Sequence, residues 1–265
     1  RSTLFPYTTL FRSWELIGYR DKELWGSLRN ISSKSVLQVS KLKNVFSCND
    51  YDGKIAMVPN SPCPVLWGFR GKDSKVLIDN FNDLGPEKPV RWLLYQTNQA
   101  TDDHFCFTDS LDIEENISIW IDVKVSSKVE VIKGGHRFIH VQDSGGKEAK
   151  CAIFEPSKNL RNVVDKLVIG DEITVCGSFS NGAINLEKLE ITKLMPRYSK
   201  PPNPMCDCGE RTHSSGKNSK YRCNSCGKKY ERPPLIIESP NLDLGWFEPP
   251  ASSRRHLTKP IELMR

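Results

Sequence analysis

Four cysteines in two close pairs, Cys206 with Cys208 and Cys223 with Cys226, stand fourteen residues apart in "CDCGERTHSSGKNSKYRCNSCGKK", and glycine follows each pair at once. Four thiolates offered from two tight turns can enclose one zinc ion tetrahedrally, and the glycines let the turn backbone approach the sulfurs. The spacing predicts a zinc ribbon with a structural metal, because a four-sulfur shell leaves no position open for chemistry. The second pair has the usual C-x-x-C spacing, while the first, C-x-C, is one residue short. Three arrangements are open. Cys206 and Cys208 both bind through a distorted turn, His213 replaces one of them, or a residue has been lost from the sequence.

The ribbon is basic and aromatic. Arg211, Lys217, Lys220, Arg222, Lys228 and Lys229 alternate with Tyr221 and Tyr230, which suits phosphate contacts and base stacking. Charge along the whole chain agrees: residues 1–195 hold 25 basic and 25 acidic side chains, residues 196–265 hold 13 and 7. A localised positive surface favours an anionic partner, since each Lys or Arg placed on a phosphate releases condensed counterions. Nine cysteines without a leading signal segment point to a reducing compartment and a cytoplasmic protein. No stretch approaches a membrane span, so no membrane partner is expected.

Residues 1–13, "RSTLFPYTTLFRS", repeat Thr-Leu-Phe and are broken by Pro6 and Arg12. They resemble a translated sequencing adapter and are set aside as a leader. Without Arg1 and Arg12 the formal charge falls from +6 to +4, and the true N-terminus is expected to lie upstream.

The remaining chain reads as α+β and multidomain. Residues 14–46 show no sustained period and read as a helix and an irregular crossing. "KIAMVP" and "PVLWGFRG" read as strands, "DSKVLIDNFNDL" as a helix capped by Asp73, and "VRWLLYQ" as another strand. That order is half of a ferredoxin-like unit, a partial domain over 14–112. From 113 to 195, Ile117, Ile119, Ile121, Val123 and Val125 alternate strictly, and "KVEVI", "HRFIHVQD" and "KEAKCAIF" follow. Leu160, Val163, Val164, Leu167 and Val168 mark a one-faced helix; "DEITVCGSF", an Asn181-Gly182 turn and "AINLEKLEITKL" form a closing hairpin. One helix before the last hairpin suits a small Greek-key β-barrel of the OB type. A proline-rich linker and the ribbon occupy 196–232, and a basic segment closes the chain over 233–265.

OB barrels bind single strands through aromatics and basic grooves, so Trp120, His136, Phe138, Lys133 and Arg137 are candidates, against the plainer reading that half of them cover the barrel. Gly68, Arg70 and Gly71 sit between a strand and a helix start, where backbone N–H groups and a guanidinium suit an anion. No Walker A lysine follows, and a tight turn with a surface arginine explains the residues equally. "LLYQTNQATDDHF" leaves a strand for Gln96, Thr97, Asn98, Gln99, Thr101, Asp102, Asp103 and His104. A solvated loop, an acid–base cluster and a holder for a guanidinium or amine are all open there. At the end, Ser253, Arg254, Arg255, His256 and Lys259 follow two prolines, either as an RNA-backbone contact or as a floppy basic tail.

"VPNSPCPVLWGFRG", "YQTNQATDDH", "KCAIFEPSKNLRNVV", "GDEITVCGSF", "INLEKLEI" and "SSRRHLTKP" together resemble the archaeal tRNA-isoleucine 2-agmatinylcytidine synthetases, in order, from about Trp14 to the C-terminus. The resemblance implies an ATP-dependent ligase that joins agmatine to the wobble cytidine of the CAU-anticodon isoleucine tRNA, with ATP and Mg2+ as co-substrate and zinc as a structural ion. It implies that Arg70, Thr97, Asn98, Thr101, Asp102 and His104 hold agmatine or the nucleotide beside it, with Arg29 a further site residue. It implies tRNA contacts for Lys133, Arg137, Arg211, Lys220, Arg222, Lys228, Arg254, Arg255, His256 and Lys259. The family's kinase-like, ATP-handling domain has no counterpart here, so catalytic residues are expected outside this chain and the fragment alone is expected to be inactive. The alternative is a free-standing OB-fold and zinc-ribbon module that binds RNA without catalysis.

Overall fold

A computed structural model of the chain describes residues 12–50, 52–214, 216 and 220–264; residues 1–11 of the leader and Lys217 lie outside them. Among the described residues the chain divides into two compact units, one built from the residues up to Lys193 together with Leu244 onward, the other from Leu194–Asp243.

The first unit opens on β1 (Ser13–Tyr19), α1 (Ser33–Val39), β2 (Val45–Phe46), β3 (Val65–Gly71), α2 (Ser74–Asn80) and β4 (Arg91–Thr97), in sheet order β2-β3-β1-β4 with every pairing antiparallel. This is a βαββαβ ferredoxin-like arrangement. Its central strand β1 lies where the sequence suggested a helix and a crossing. "SWELIGY" lacks clean alternation because both faces are used: Leu16 packs into the helix-covered core, while Glu15 is buried on the other face. "KIAMVP" supplies only a bridge, Asn49 with Ile55, and the edge strand is Val45–Phe46 instead. Asp73 caps α2 as expected, its carboxylate accepting from Lys75 N at 2.9 Å. Trp67, Phe69, Leu66, Leu77 and Leu84 fill the core with Leu16.

After β5 (Cys106–Phe107) come β6 (Ser118–Val125), β7 (Glu130–Val131), β8 (Arg137–Gln142), β9 (Glu148–Ile153), α3 (Asn159–Val164), β10 (Glu172–Ser180) and β11 (Ala183–Lys193). The path β6-β10-β11-β9-β8 closes on itself through β6 with β8, giving a five-stranded barrel. Closure removes the open edges that would otherwise template aggregation. Ile119, Ile121, Val123 and Val125 fill its interior, and Asn181 and Gly182 turn the hairpin with φ of +53° and +71°.

The second unit pairs β12 (Arg197–Ser199) with β16 (Ile236–Glu238) and carries a three-stranded sheet of β13 (His213–Ser214), β14 (Tyr221–Arg222) and β15 (Lys229–Tyr230). The chain then returns to the first unit, where β17 (Gly245–Phe247) adds antiparallel to β11. No helix among the described residues is long and apolar enough to cross a membrane.

Candidate functional site

The polar stretch after β4 and the basic stretch near the C-terminus form one structure. Ala100 N donates to His256 O at 2.8 Å, while Thr101 N and Asp102 N both donate to Leu257 O at 3.1 and 3.0 Å. Lys259 N in turn donates to Asp102 Oδ1 at 2.7 Å. The loop needs Ala100 and Asp102 in the left-handed region, at φ +57° and +65°, an unfavourable conformation for alanine that the surrounding bonds hold.

β11 completes this junction through an irregularity. Cys176 pairs with Lys188 and Gly177 with Leu186, which leaves Glu187 as the extra residue of a β-bulge. A bulge re-aims side chains, and here two successive residues both reach the loop and tail. Glu187 receives Thr258 Oγ1 at 2.5 Å, meets His104 Nε2 at 3.0 Å and Arg255 Nη1 at 3.2 Å. Burial alone would raise its carboxyl; the bonds from His104 and Thr258, with the charge of Arg255, outweigh that and hold it below the ordinary range. Lys188, fully buried, pairs with Asp102 beneath Phe105, Trp120 and Trp246. Trp120 is thus covered by neighbouring rings rather than open for stacking.

On the sheet face opposite the helices, Glu15 takes Arg70 Nε at 2.8 Å and Gln99 Nε2 at 2.7 Å. Gly68 makes room for this carboxylate, since a Cβ there would lie 2.8 Å from Glu15 Oε1. Arg70 therefore reaches the loop and tail, and the start of α2 is occupied by Asp73. Arg254 is fixed by buried Glu248 and by Ser47 Oγ at 2.9 Å. Desolvation nevertheless raises the Glu248 carboxyl above its ordinary range, outweighing Arg254.

Two adjoining hollows result. One, about 180 Å3, is lined by Arg70, Arg254, Arg255, His256, Gln99 and Ser252 among others. The other, about 250 Å3, shares Phe46, Ser47, Ala251 and Arg254 with it and adds Asp50, Glu248 and Glu262. Asp50 Oδ1 accepts from Ser252 N at 2.8 Å; its Oδ2 is buried with no hydrogen-bond partner among the described residues.

The other candidates take varied places. Asp102 has both carboxylate oxygens engaged, by Lys188 and Lys259 N. Thr97 Oγ1 shares a 2.8 Å bond with Ser13 Oγ, and Thr101 Oγ1 donates to Asn98 O at 2.8 Å. Arg29 donates to the carbonyls of Pro59, Ser61, Cys63 and Val65, which fixes the loop before β3. Arg137 grips Asp165 at 2.5 and 3.0 Å. Phe138 lies under Lys150, His136 accepts from Glu155 N, and Lys133 is exposed. In the ribbon, Lys220 and Lys228 pair with Glu231 and Asp207, while Arg211 and Arg222 are exposed.

The ligand atoms of Cys206, Cys208, Cys223 and Cys226 all lie within 4.8 Å of one another. Closest approaches of 3.4 Å for Cys206–Cys226 and 3.5 Å for Cys208–Cys223 are near the separation of roughly 3.8 Å between sulfurs in a tetrahedral Zn–S site with bonds of about 2.3 Å. The donor set therefore fits zinc with the short C-x-C pair intact. His213, in β13, is outside the cluster.

The family model "TiaS FLD domain" matches residues 7–104, and "TiaS C-terminal zinc ribbon domain" matches residues 203–240. Over 267 residues the chain is 36% identical to TiaS of Methanocaldococcus jannaschii, an isoleucine-tRNA 2-agmatinylcytidine synthetase, covering 98% of this chain and 61% of that protein. Similarity to TiaS runs through nearly the whole chain. The TiaS of Methanococcus voltae is 35% identical, with 95% of this chain and 50% of that one aligned. A solved complex of TiaS with its isoleucine tRNA and ATP superposes with a TM-score of 0.83 at 33% identity, over 96% of this chain and 60% of that one. A second complex, of TiaS with the same tRNA, AMPCPP and agmatine, gives 0.78 at 31%, over 94% and 60%. The chain thus spans about 61% of the length of the first of these TiaS relatives. Within it, the bulge residues Glu187 and Lys188, with Glu15 and Glu248, are site residues that sequence reasoning did not single out. The adjacent charges in "LEKLE", inside an otherwise apolar strand, were the available signal.

Proposed function

We propose that the chain is the tRNA- and agmatine-holding part of an ATP-dependent ligase that joins agmatine to the wobble cytidine of the CAU-anticodon isoleucine tRNA. One observation carries this reading: the 36% identity to a TiaS extends over 98% of the chain, including the loop and tail that close the site. The two hollows suit such substrates chemically, one presenting cations toward phosphate and the other carboxylates toward a guanidinium or amine. Agmatine carries a cation at each end, and Asp50 Oδ2 is a buried acceptor in want of a donor, so we assign one cationic end to Asp50. Asn98, Thr97, Thr101 and His104 lie along the same loop and would orient the substrate or its neighbouring nucleotide. Lys133, Arg211, Lys220, Arg222, Lys228 and Lys259 would meet the tRNA backbone; the ion pairs of Lys220 and Lys228 are exposed and exchange readily for phosphate.

Zinc, held by the four cysteines, would supply folding energy to the ribbon and no catalysis. ATP and Mg2+ would be handled outside these residues, in the cytoplasm where tRNA is modified, so the chain alone should bind without turnover. The test is twofold. Calorimetry should detect agmatine binding that Asp50→Asn weakens at least tenfold, and gel shifts should favour the CAU isoleucine transcript over other tRNAs. Equal affinity for all transcripts would reduce the chain to a non-specific RNA-binding module. Unchanged agmatine affinity in the variant would remove Asp50 from the site.

A further inference from the structure

We propose that the basic hollow between the β3 end, the loop after β4 and the C-terminal segment is a phosphate subsite, in which Arg70, Arg254, Arg255 and His256 together receive one phosphodiester of the RNA strand. This rests on the reading above that the chain acts on RNA.

Three guanidinium groups and an imidazole line the hollow, and none of its lining residues is acidic. Each arginine is instead paired with a carboxylate that does not itself line the hollow: Arg70 with Glu15, Arg254 with Glu248, Arg255 with Glu187. These pairs fix the planes of the guanidinium groups while leaving other N–H donors available. Among the described residues the Nη atoms of Arg70 meet no hydrogen-bond partner, and the His256 ring has no hydrogen bond. Preorganised forks of this kind match the geometry of a phosphate better than flexible lysines would.

Like charges gathered in one small space repel, and that repulsion is relieved when an anion enters. The imidazole registers it: although the residue is solvent-exposed, partial desolvation, then the charge of Arg70, depress the protonation of His256 below its ordinary range, with Glu15 opposing. An arriving phosphate would reverse the second effect. Size decides what kind of ligand fits. At about 180 Å3 the hollow is smaller than the roughly 300–1,000 Å3 that engulfs a drug-sized molecule, so it takes a single group of a larger ligand. The group's source is either an RNA strand or a free nucleotide, and the charged tail continuing to Lys259 favours the strand.

The experiment follows the His256 ring by NMR in the whole chain, with inorganic phosphate, ATP and a CAU isoleucine tRNA transcript as separate probes. Phosphate and tRNA should each shift the ring resonance and raise its titration midpoint. Arg255→Gln, at a side chain 57% exposed and so tolerant of change, should weaken tRNA binding about tenfold at about 0.1 M salt and lower the slope of log affinity against log salt by about one. An unmoved His256 resonance with all three probes overturns the subsite, as does an unchanged salt slope. Tight tRNA binding with an unmoved His256 overturns the subsite alone and leaves the RNA reading standing. A phosphate response with no tRNA binding overturns the RNA reading and supports an anion pocket. A response to ATP at lower concentration than to tRNA overturns the strand as the source.

Discussion

The ammonium of Lys188 meets the carboxylate of Asp102, 86 positions away in the chain, under the rings of Phe105, Trp120 and Trp246 at 5.9, 5.1 and 5.2 Å. The pair is largely withdrawn from water: Lys188 is fully buried and Asp102 is 13% exposed at its side chain. Removing one member of such a pair strands the other, which is more costly than never having had the pair. Lys188→Met should therefore lose about 3–5 kcal/mol, read as a fall in the urea midpoint. Adding Asp102→Asn to it should recover part of the loss, because asparagine still accepts from Lys259 N and tolerates the left-handed backbone.

Glu187 gives the fold an acid-sensitive joint. Its folded-state pKa lies below the ordinary glutamate value, so its contribution is fully present above about pH 4.3 and is lost as pH falls through the lower, folded value. Glu187→Gln should cost about 1.5–3 kcal/mol at pH 7. The gap between variant and wild type should close as pH falls through the depressed folded-state value, where the carboxyl protonates and resembles the amide. Urea midpoints measured from pH 7 to 3 would reveal a constant gap if Glu187 made no charge-dependent bonds.

Gly177→Ala should destabilise the barrel by about 1–3 kcal/mol through overpacking. A Cβ at this buried position would lie 2.4 Å from Asn185 O and 2.9 Å from Ile184 Cγ2, so the bulge that aims Glu187 and Lys188 would have to shift. Thermal melting checks the stability, and on the proposed reading weaker tRNA binding by the folded variant checks the displacement.

Chelation should dismantle the ribbon selectively. Among the described residues of Arg197–Glu238 the strands are two or three residues long, so the apolar core is small and most of the unit's order would come from metal ligation. A strong chelator should abolish the hydrogen-exchange protection of residues 221–230 while the barrel strands keep theirs. Cys223→Ser should reduce bound zinc, measured by atomic emission, from one equivalent to well below half.

The barrel was legible because its pattern is local. Alternation in β6, the Asn181-Gly182 turn and the one-faced helix each follow from neighbours in sequence. The four cysteines were legible for the same reason. β1 was hidden because Glu15 sits buried in a central strand, a placement justified only by Arg70 and Gln99 from distant strands and loops. Asp102 was noticed as a carboxylate for a ligand, yet its partner is Lys188, and nothing in either segment names the other. The tail reads in isolation as an RNA-backbone contact or a floppy basic run, and neither reading contains its packing: Thr258 is 1% exposed because Glu187 and the loop receive it. Long-range charge pairing, rather than periodicity, is what escapes a one-dimensional reading.

The backbone bonds that join Ala100 and Asp102 to His256 and Leu257 set an order of events during synthesis. At roughly 5–20 residues per second, the loop emerges on the order of ten to thirty seconds before the segment that shapes it. Throughout that interval the ferredoxin-like sheet and the barrel can form while the loop between them has no template. A premature stop at the codon for Pro250 would release a chain that retains every loop residue and lacks the segment that shapes the loop. The segment around His256 and Leu257, translated long after the loop, thus acts as a proofreader of the loop's conformation.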